Sequence, residues 1–215
     1  MKDRYRYMGY VYDLVGTIYS AGLIPKCKVA MIDRIKPGDR VLFAGVGHGK
    51  EAIQTARAGA RVTVVDLSAT MLQQFENNLR HRSFAHPIRK LHRNIMDVDE
   101  YEAYDFVCAN FFLNVFSQEL MTAVLEHLSR LVKIKGHLIV GDFVLPQGNL
   151  PARWLQKIHW YVAVLPFFLM TGNAFHAVYD YPGYMRSLRC SIQEIKRFRL
   201  FKTNLYWSIL ARKEA

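Results

Sequence analysis

The sequence predicts an α/β fold, a parallel sheet with helices on both faces, and three observations carry that expectation. Short apolar runs rich in Val, Leu and Ile alternate with stretches of helical period between residues 40 and 142. The first of these runs, Val41-Leu-Phe-Ala, breaks into three alternating glycines, Gly45, Gly47 and Gly49. The acid Asp66 closes the next run about 20 residues beyond Gly45, as a nucleotide-binding βαβ unit requires. Alternating glycines let the backbone turn sharply off a strand and approach a ligand with no Cβ in the way. The helix that follows points its first N–H groups at the same place, and an acid closing the second strand accepts hydrogen bonds from ribose hydroxyls.

Each element can be justified in order. Val11, Leu14, Val15 and Ile18 fall at helical spacing, Gly22 and Pro25 interrupt it, and Val29, Ile32 and Ile35 resume it, so two helices are expected before the first strand. The turn Pro37-Gly38-Asp39 leads into a strand over 40–44, a helix over 51–58, a strand over 61–65 and a helix over 69–80. A basic connection through Pro87 reaches a short strand at 89–93, and an acid-rich stretch precedes a strand at 106–109. A helix over 118–131 and a strand over 137–142 complete the alternation. Residues 150–185 then break the rhythm with a segment rich in Trp, Tyr and Phe, placed to overhang the carboxyl ends of the strands as a helical lid. The ending reads as two strands, 197–201 and 205–212, joined at Thr203-Asn204. A single domain over 1–215 is expected, with a helical cap (1–35), a binding core (36–145), a lid (146–190) and a terminal strand pair (191–215).

Composition narrows the classes of function. With 51% hydrophobic residues the chain can bury a substantial core. Lys and Arg outnumber Asp and Glu by 29 to 18, a formal charge of +11, with basic residues gathered in 1–7, 80–93 and 186–213. Such a surface suits nucleic acid, anionic lipid or a small anion, and equally a solvated basic face. Cys27, Cys108 and Cys190 are odd in number and form no Cys-x-x-Cys, which argues against a disulfide framework and a zinc site and fits a reducing cytoplasmic setting. The amino terminus lacks an apolar stretch behind its charges, unlike a secretory signal. The apolar run 160–170 contains Pro166 and falls short of the ~20 residues a spanning helix needs, so a soluble or at most membrane-associated chain is expected.

The glycine spacing is specific about the nucleotide. A dinucleotide fingerprint would place its third glycine at position 50, which is Lys50, whereas Gly49 gives Gly-x-Gly-x-Gly. This resembles motif I of the class I S-adenosylmethionine-dependent methyltransferases. The stretch Val-Thr-Val-Val-Asp-Leu-Ser-Ala-Thr-Met-Leu (62–72) resembles that family's second strand and following helix. Tyr-Asp-Phe-Val-Cys-Ala-Asn (104–110) resembles its fourth strand, and Leu-Val-Lys-Ile-Lys-Gly-His-Leu-Ile-Val-Gly-Asp (131–142) its helix, turn and fifth strand. The resemblance implies a Rossmann-like, seven-stranded, mostly parallel sheet with an antiparallel last strand, and S-adenosyl-L-methionine as cofactor. It places loop backbone contacts on Gly45, Gly47 and Gly49 and the ribose contact on Asp66. Asn94 falls where many relatives have an Asp at the adenine amino group, Ile95 would offer its N–H to the ring, and Asp97 serves instead if the alignment shifts. Leu67 and Met71 would flank the adenine, although Met71 also fits a core position. Asn110 would lie beside the methionine portion, with Phe111 or Phe112 packed against it. Phe43 departs from the pattern: most relatives have an acid there, near the donor's amino group, so Tyr10, Tyr19, Asp13 or backbone carbonyls would take over.

Methyl transfer from a sulfonium mainly requires in-line alignment and exclusion of water, and a general base assists a hydroxyl or a phenol-activated carbon. In the overhanging segment His159, His176, Tyr179 and Asp180 have suitable chemistry; His176 and Tyr179 are favoured as catalytic, and each histidine also fits a structural role. Residues 173–182 loosely resemble a Tyr-containing stretch of the ubiquinone and menaquinone C-methyltransferases, as does Tyr12-Asp-Leu-Val. The aromatic character of 154–184 points to a small hydrophobic or aromatic acceptor: a quinol, a phenolic metabolite or a lipid-like molecule. Basic residues beside such a lid would also suit peripheral contact with an anionic membrane. RNA methylation is the alternative the charge suggests, but Asn110-Phe-Phe-Leu lacks the prolines of amino-group methylases of nucleic acid. A donor-binding enzyme with non-methyl chemistry is a further alternative, prompted by Phe43.

Overall fold

Two apolar faces alternate along each central strand, and the sheet satisfies both by taking helices on either side. The computed structural model describes residues 19–171 and 176–215. A short helix α1 (Leu23–Lys28) precedes β1 (Arg40–Ala44), α2 (Lys50–Arg57), β2 (Arg61–Asp66), α3 (Ala69–Leu79), β3 (Arg89–His92) and β4 (Tyr104–Asn110). Then follow α4 (Gln118–Leu131), β5 (Val132–Phe143), α5 (Leu150–Thr171), α6 (Tyr181–Ser187), β6 (Cys190–Leu200) and β7 (Thr203–Lys213). The seven strands form one sheet in the order β3-β2-β1-β4-β5-β7-β6; β1 to β5 run parallel and β7 lies antiparallel between β5 and β6.

The pleat sorts the core. Leu42, Ala44, Val107, Ala109, Leu138 and Val140 face one layer, where α4 supplies Met121, Val124, Leu125 and Leu128 at helical spacing. Val41, Phe43, Phe106, Cys108 and Ile139 face the other, with Ala52, Ile53 and Ala56 of α2 and Met71 and Phe75 of α3. Ser68 and Ser117 cap α3 and α4, accepting from the backbone N–H groups of Met71 and Leu120.

The structure departs from the sequence expectations in a few places. The helix expected after Pro25 forms earlier: α1 contains Pro25 in its first turn, where the missing N–H costs nothing, and only a 3-10 turn at Ile32–Arg34 follows. The helix expected around Val11 to Ile18 lies outside the described residues, as do Tyr10, Tyr12 and Asp13. β5 starts at Val132, directly after α4, and Lys135 takes up the irregularity with a φ of 66°. The last hairpin turns at Phe201-Lys202, not at Thr203-Asn204, which belongs to β7. Phe201 adopts a φ of 52°, the left-handed conformation a tight hairpin needs, so a polar pair was a misleading marker of the turn. Among the described residues no helix is long and apolar enough to cross a membrane.

Candidate functional site

The glycine loop leaves β1 at the carboxyl edge of the sheet, and all three of its glycines take positive φ: 75° at Gly45, 48° at Gly47 and 64° at Gly49. Their surroundings differ. A Cβ on Gly45 would stand 2.7 Å from the Phe112 ring, and one on Gly49 2.2 Å from Phe75, so these two are fixed by packing from below. At Gly47 only the Lys28 ammonium lies within 4 Å among the described residues, at 3.8 Å, so on their side this glycine faces a space that a side chain would fill. Asp66 fastens the loop from β2: its carboxylate accepts the N–H groups of Val46 and Ser68, each at 2.8 Å. A carboxylate has about four acceptor positions, so an acid that holds the loop can also meet ribose hydroxyls. These features fit a nucleoside-bearing donor.

The remaining cofactor candidates lie around the same edge. Leu67, directly after β2, is half exposed, and its carbonyl meets His92 Nε2 at 3.2 Å. Met71 is buried beside Phe75 in the core. Asn94 is exposed beyond β3 and caps the 3-10 turn Ile95–Asp97, accepting from Met96 N–H at 3.1 Å, while the Ile95 side chain is buried. Asn110, the last residue of β4, donates from Nδ2 to the Lys28 carbonyl at 3.1 Å, and its buried Oδ1 has no partner among the described residues. Phe43 is buried in the core layer of α2, its neighbours in the adjacent strands being Val64 and Cys108.

Sequence reasoning missed Lys28 and Glu51. Lys28 is the last residue of α1; its ammonium stands 3.7 Å from the buried Glu51 carboxylate on α2. Nothing in the local sequence pairs residues so far apart, and the signal appears only once Asn110 draws the end of α1 over the loop.

The ends of β4 and β5 beneath α5 are rich in aromatic side chains. Phe111 leaves β4 with a φ of 53°, unusual for a bulky residue, and its ring meets Phe143 and Tyr206 edge-on. Trp160 of α5 packs on Phe143 and donates from its indole N–H to the His176 carbonyl at 2.7 Å. His176 stacks on Tyr179 with ring centres 4.2 Å apart. Both nitrogens of His176 face carbonyls, those of Asn114 at 3.0 Å and Ala177 at 2.6 Å, and the Tyr179 hydroxyl donates to the Phe116 carbonyl at 2.8 Å. Burial pushes the Tyr179 hydroxyl up to about 12, so it stays protonated at neutral pH. His159 Nε2 lies 2.7 Å from the Tyr206 hydroxyl, and burial lowers its pKa to about 4, keeping it neutral. Asp180 serves as the cap of α6.

A third missed residue is Asp142, near the end of β5. It is fully buried, accepts from Asn114 Nδ2 (2.9 Å), the Tyr181 hydroxyl (2.8 Å) and Phe143 N–H (2.8 Å), and burial raises its pKa to about 7. A cavity of about 200 Å³ lies beneath α5, lined by Leu145, Pro146, Trp160 and Val178 among others. A larger cleft, about 570 Å³, opens at the opposite, amino end of the sheet around Asp105 and Lys133.

A glycine loop clamped by an acid, at the edge of a sheet that inserts its last strand antiparallel, defines the class I methyltransferase fold. Residues 41–136 match the family model described as a methyltransferase domain, and together with the fold this match supports an S-adenosylmethionine-dependent methyltransferase, with S-adenosylmethionine as its cofactor. No curated protein matches the chain. Magnesium protoporphyrin IX methyltransferase from Synechocystis, solved with S-adenosylhomocysteine, is 20% identical with a TM-score of 0.67, covering 92% of this chain and 84% of its own. The Burkholderia thailandensis 1,6-didemethyltoxoflavin-N1-methyltransferase, solved with 1,6-didemethyltoxoflavin and S-adenosylhomocysteine, is 15% identical with a TM-score of 0.66, covering 100% and 92%. The cyclase SpnF, 15% identical with a TM-score of 0.62, covers 87% and 80%. At such identities these structures speak for the fold.

Proposed function

We propose that this enzyme transfers the donor's methyl group to a small hydrophobic or aromatic acceptor, a quinol, phenolic or lipid-like molecule, held between the ends of β4 and β5 and the lid helix α5. The observation that carries the reading is the buried aromatic cluster of Phe111, Phe143, Trp160 and Tyr206 at that edge, whose Trp160 also lines the cavity beneath α5. Apolar walls with few polar groups select such an acceptor and keep the transfer dry. The two methyltransferases named above, which act on a porphyrin and a heterocycle, support a flat acceptor.

On the donor side the glycine loop cradles the methionine portion and ribose, Asp66 takes the ribose hydroxyls, and Leu67, Met71, Asn94 and Ile95 surround the adenine. Asn110 and Lys28 flank the amino-acid end; the Lys28 ammonium supplies a cation for the donor's carboxylate, which offsets part of what Phe43 withholds. His176 and Tyr179 act on the acceptor side as positioning residues, because their polar atoms tie the rim to the loop after β4.

Incubation with methyl-labelled donor and fractionated lipid, quinone and RNA extracts tests the acceptor class. Label is expected in the lipid or quinone fraction, and label confined to RNA would overturn the reading. Phe43 and the cyclase neighbour favour one other outcome, donor binding with non-methyl chemistry, which the same assay detects as an altered acceptor without label.

A further inference from the structure

Helix α5 is turned the wrong way round for a water-exposed helix. Its inward positions are Gln156, Trp160 and Val164, all buried. Its outward face carries Trp154 (65% exposed), Leu155 (50%), Ile158 (54%), Val162 (55%) and Leu165 (48%), spaced at three, four and seven residues. A surface helix ordinarily shows its polar face to water, and an apolar patch on this scale marks an interaction surface.

Charge identifies what the surface meets. Residues 143–179 contain no Asp or Glu, while Arg153 and Lys157, one turn apart on α5, are exposed. The hairpin turn beside the helix repeats the pattern: Phe201 is 94% exposed, flanked by exposed Arg199 and Lys202. That turn is tied to α5 through Gln156 Nε2, which donates to the Asn204 carbonyl at 2.9 Å.

We propose that α5 and the Phe201 turn dock the enzyme on an anionic lipid surface, with α5 lying in the plane of the interface. Apolar side chains enter the boundary between headgroups and acyl chains, Trp154 sits at headgroup depth, and Arg153 and Lys157 reach the phosphates. Charge complementarity selects anionic lipid, because each cation near such a surface favours binding roughly fivefold. The surface gives the peripheral membrane contact expected from the sequence a definite location. Arg153 and Lys157 also line the mouth of the cavity that Trp160, Tyr161 and Val178 wall, so a lipophilic acceptor with a polar head would enter from the docked surface without crossing water. The docking surface stands independently of the acceptor's identity.

The test is sedimentation of the full-length protein with phosphatidylcholine vesicles, with and without phosphatidylglycerol, combined with tryptophan emission and quenching by brominated lipid. Trp160 and Trp207 are buried, so Trp154 reports insertion. Binding is expected only with phosphatidylglycerol, together with a blue shift and quenching that Trp154→Phe removes. Ile158→Asp should abolish sedimentation, and the pair Arg153→Glu and Lys157→Glu should weaken it by about tenfold or more, with Arg153→Lys retaining it. All these side chains are exposed, so melting temperature should hold. Absence of sedimentation, unchanged binding by Ile158→Asp, or equal binding to neutral vesicles would overturn the proposal. So would a dimer in analytical ultracentrifugation that Ile158→Asp dissolves while vesicles stay unbound, which would assign the face to a second copy.

Discussion

At the scale of single residues, Asp142 and Lys28 matter because each is a charge placed where water is scarce. Burial raises the Asp142 pKa to about 7 from an ordinary value of 3.8, so the folded protein binds a proton there that the unfolded chain has released. Between roughly pH 4 and pH 7 the native state therefore holds more protons, and stability from this group falls as pH rises. Asp142→Asn should flatten that slope, which is at most about 1.4 kcal/mol per pH unit, and thermal melts from pH 5 to 8 in both proteins check it. Lys28→Met should weaken binding of S-adenosylhomocysteine by about tenfold, as loss of one charge-assisted hydrogen bond would, and titration calorimetry reads it. Asp66 and the glycines were legible in the sequence because loop chemistry is local. Lys28, Glu51 and Asp142 were not, since their environments are made by α1 folding back over the loop and by β5 closing on Tyr181.

At the scale of elements, helical period and strand alternation located β1, α2, β2, α3, β4 and α4 to within a few residues, because each buries one stripe or face against the sheet. Leu125, fully buried on α4, shows what such a stripe contributes: Leu125→Ala should destabilise the fold by about 2–5 kcal/mol and leave donor affinity nearly unchanged, as paired denaturant and calorimetric titrations would show. The elements read less well were those set by partners. β6 extends from Cys190 because β7 pairs along its whole length, and its turn rests on an aromatic residue in a left-handed conformation, against composition. Pro25 marked a boundary in the sequence, yet a proline in the first turn of a helix is permitted.

At the scale of the whole molecule, sheet order places the glycine loop, the ends of β4 and β5 and α5 along one edge, and the methyltransferase reading rests on that edge and the match over 41–136. A ligand that binds only the native state stabilises it by about 2.7 kcal/mol at a hundred times its dissociation constant. Saturating S-adenosylhomocysteine should therefore raise the melting temperature, by an amount that vanishes in variants unable to bind. The donor is proposed to lie against Gly47, and calorimetry of S-adenosylhomocysteine with wild-type, Gly47→Val and Gly38→Val proteins tests that placement. Gly38 also has positive φ, 88°, with none of the described residues within 4 Å, so its variant carries similar backbone strain without filling the loop. Binding should be lost in folded Gly47→Val and kept in Gly38→Val; wild-type affinity in Gly47→Val would contradict the assignment.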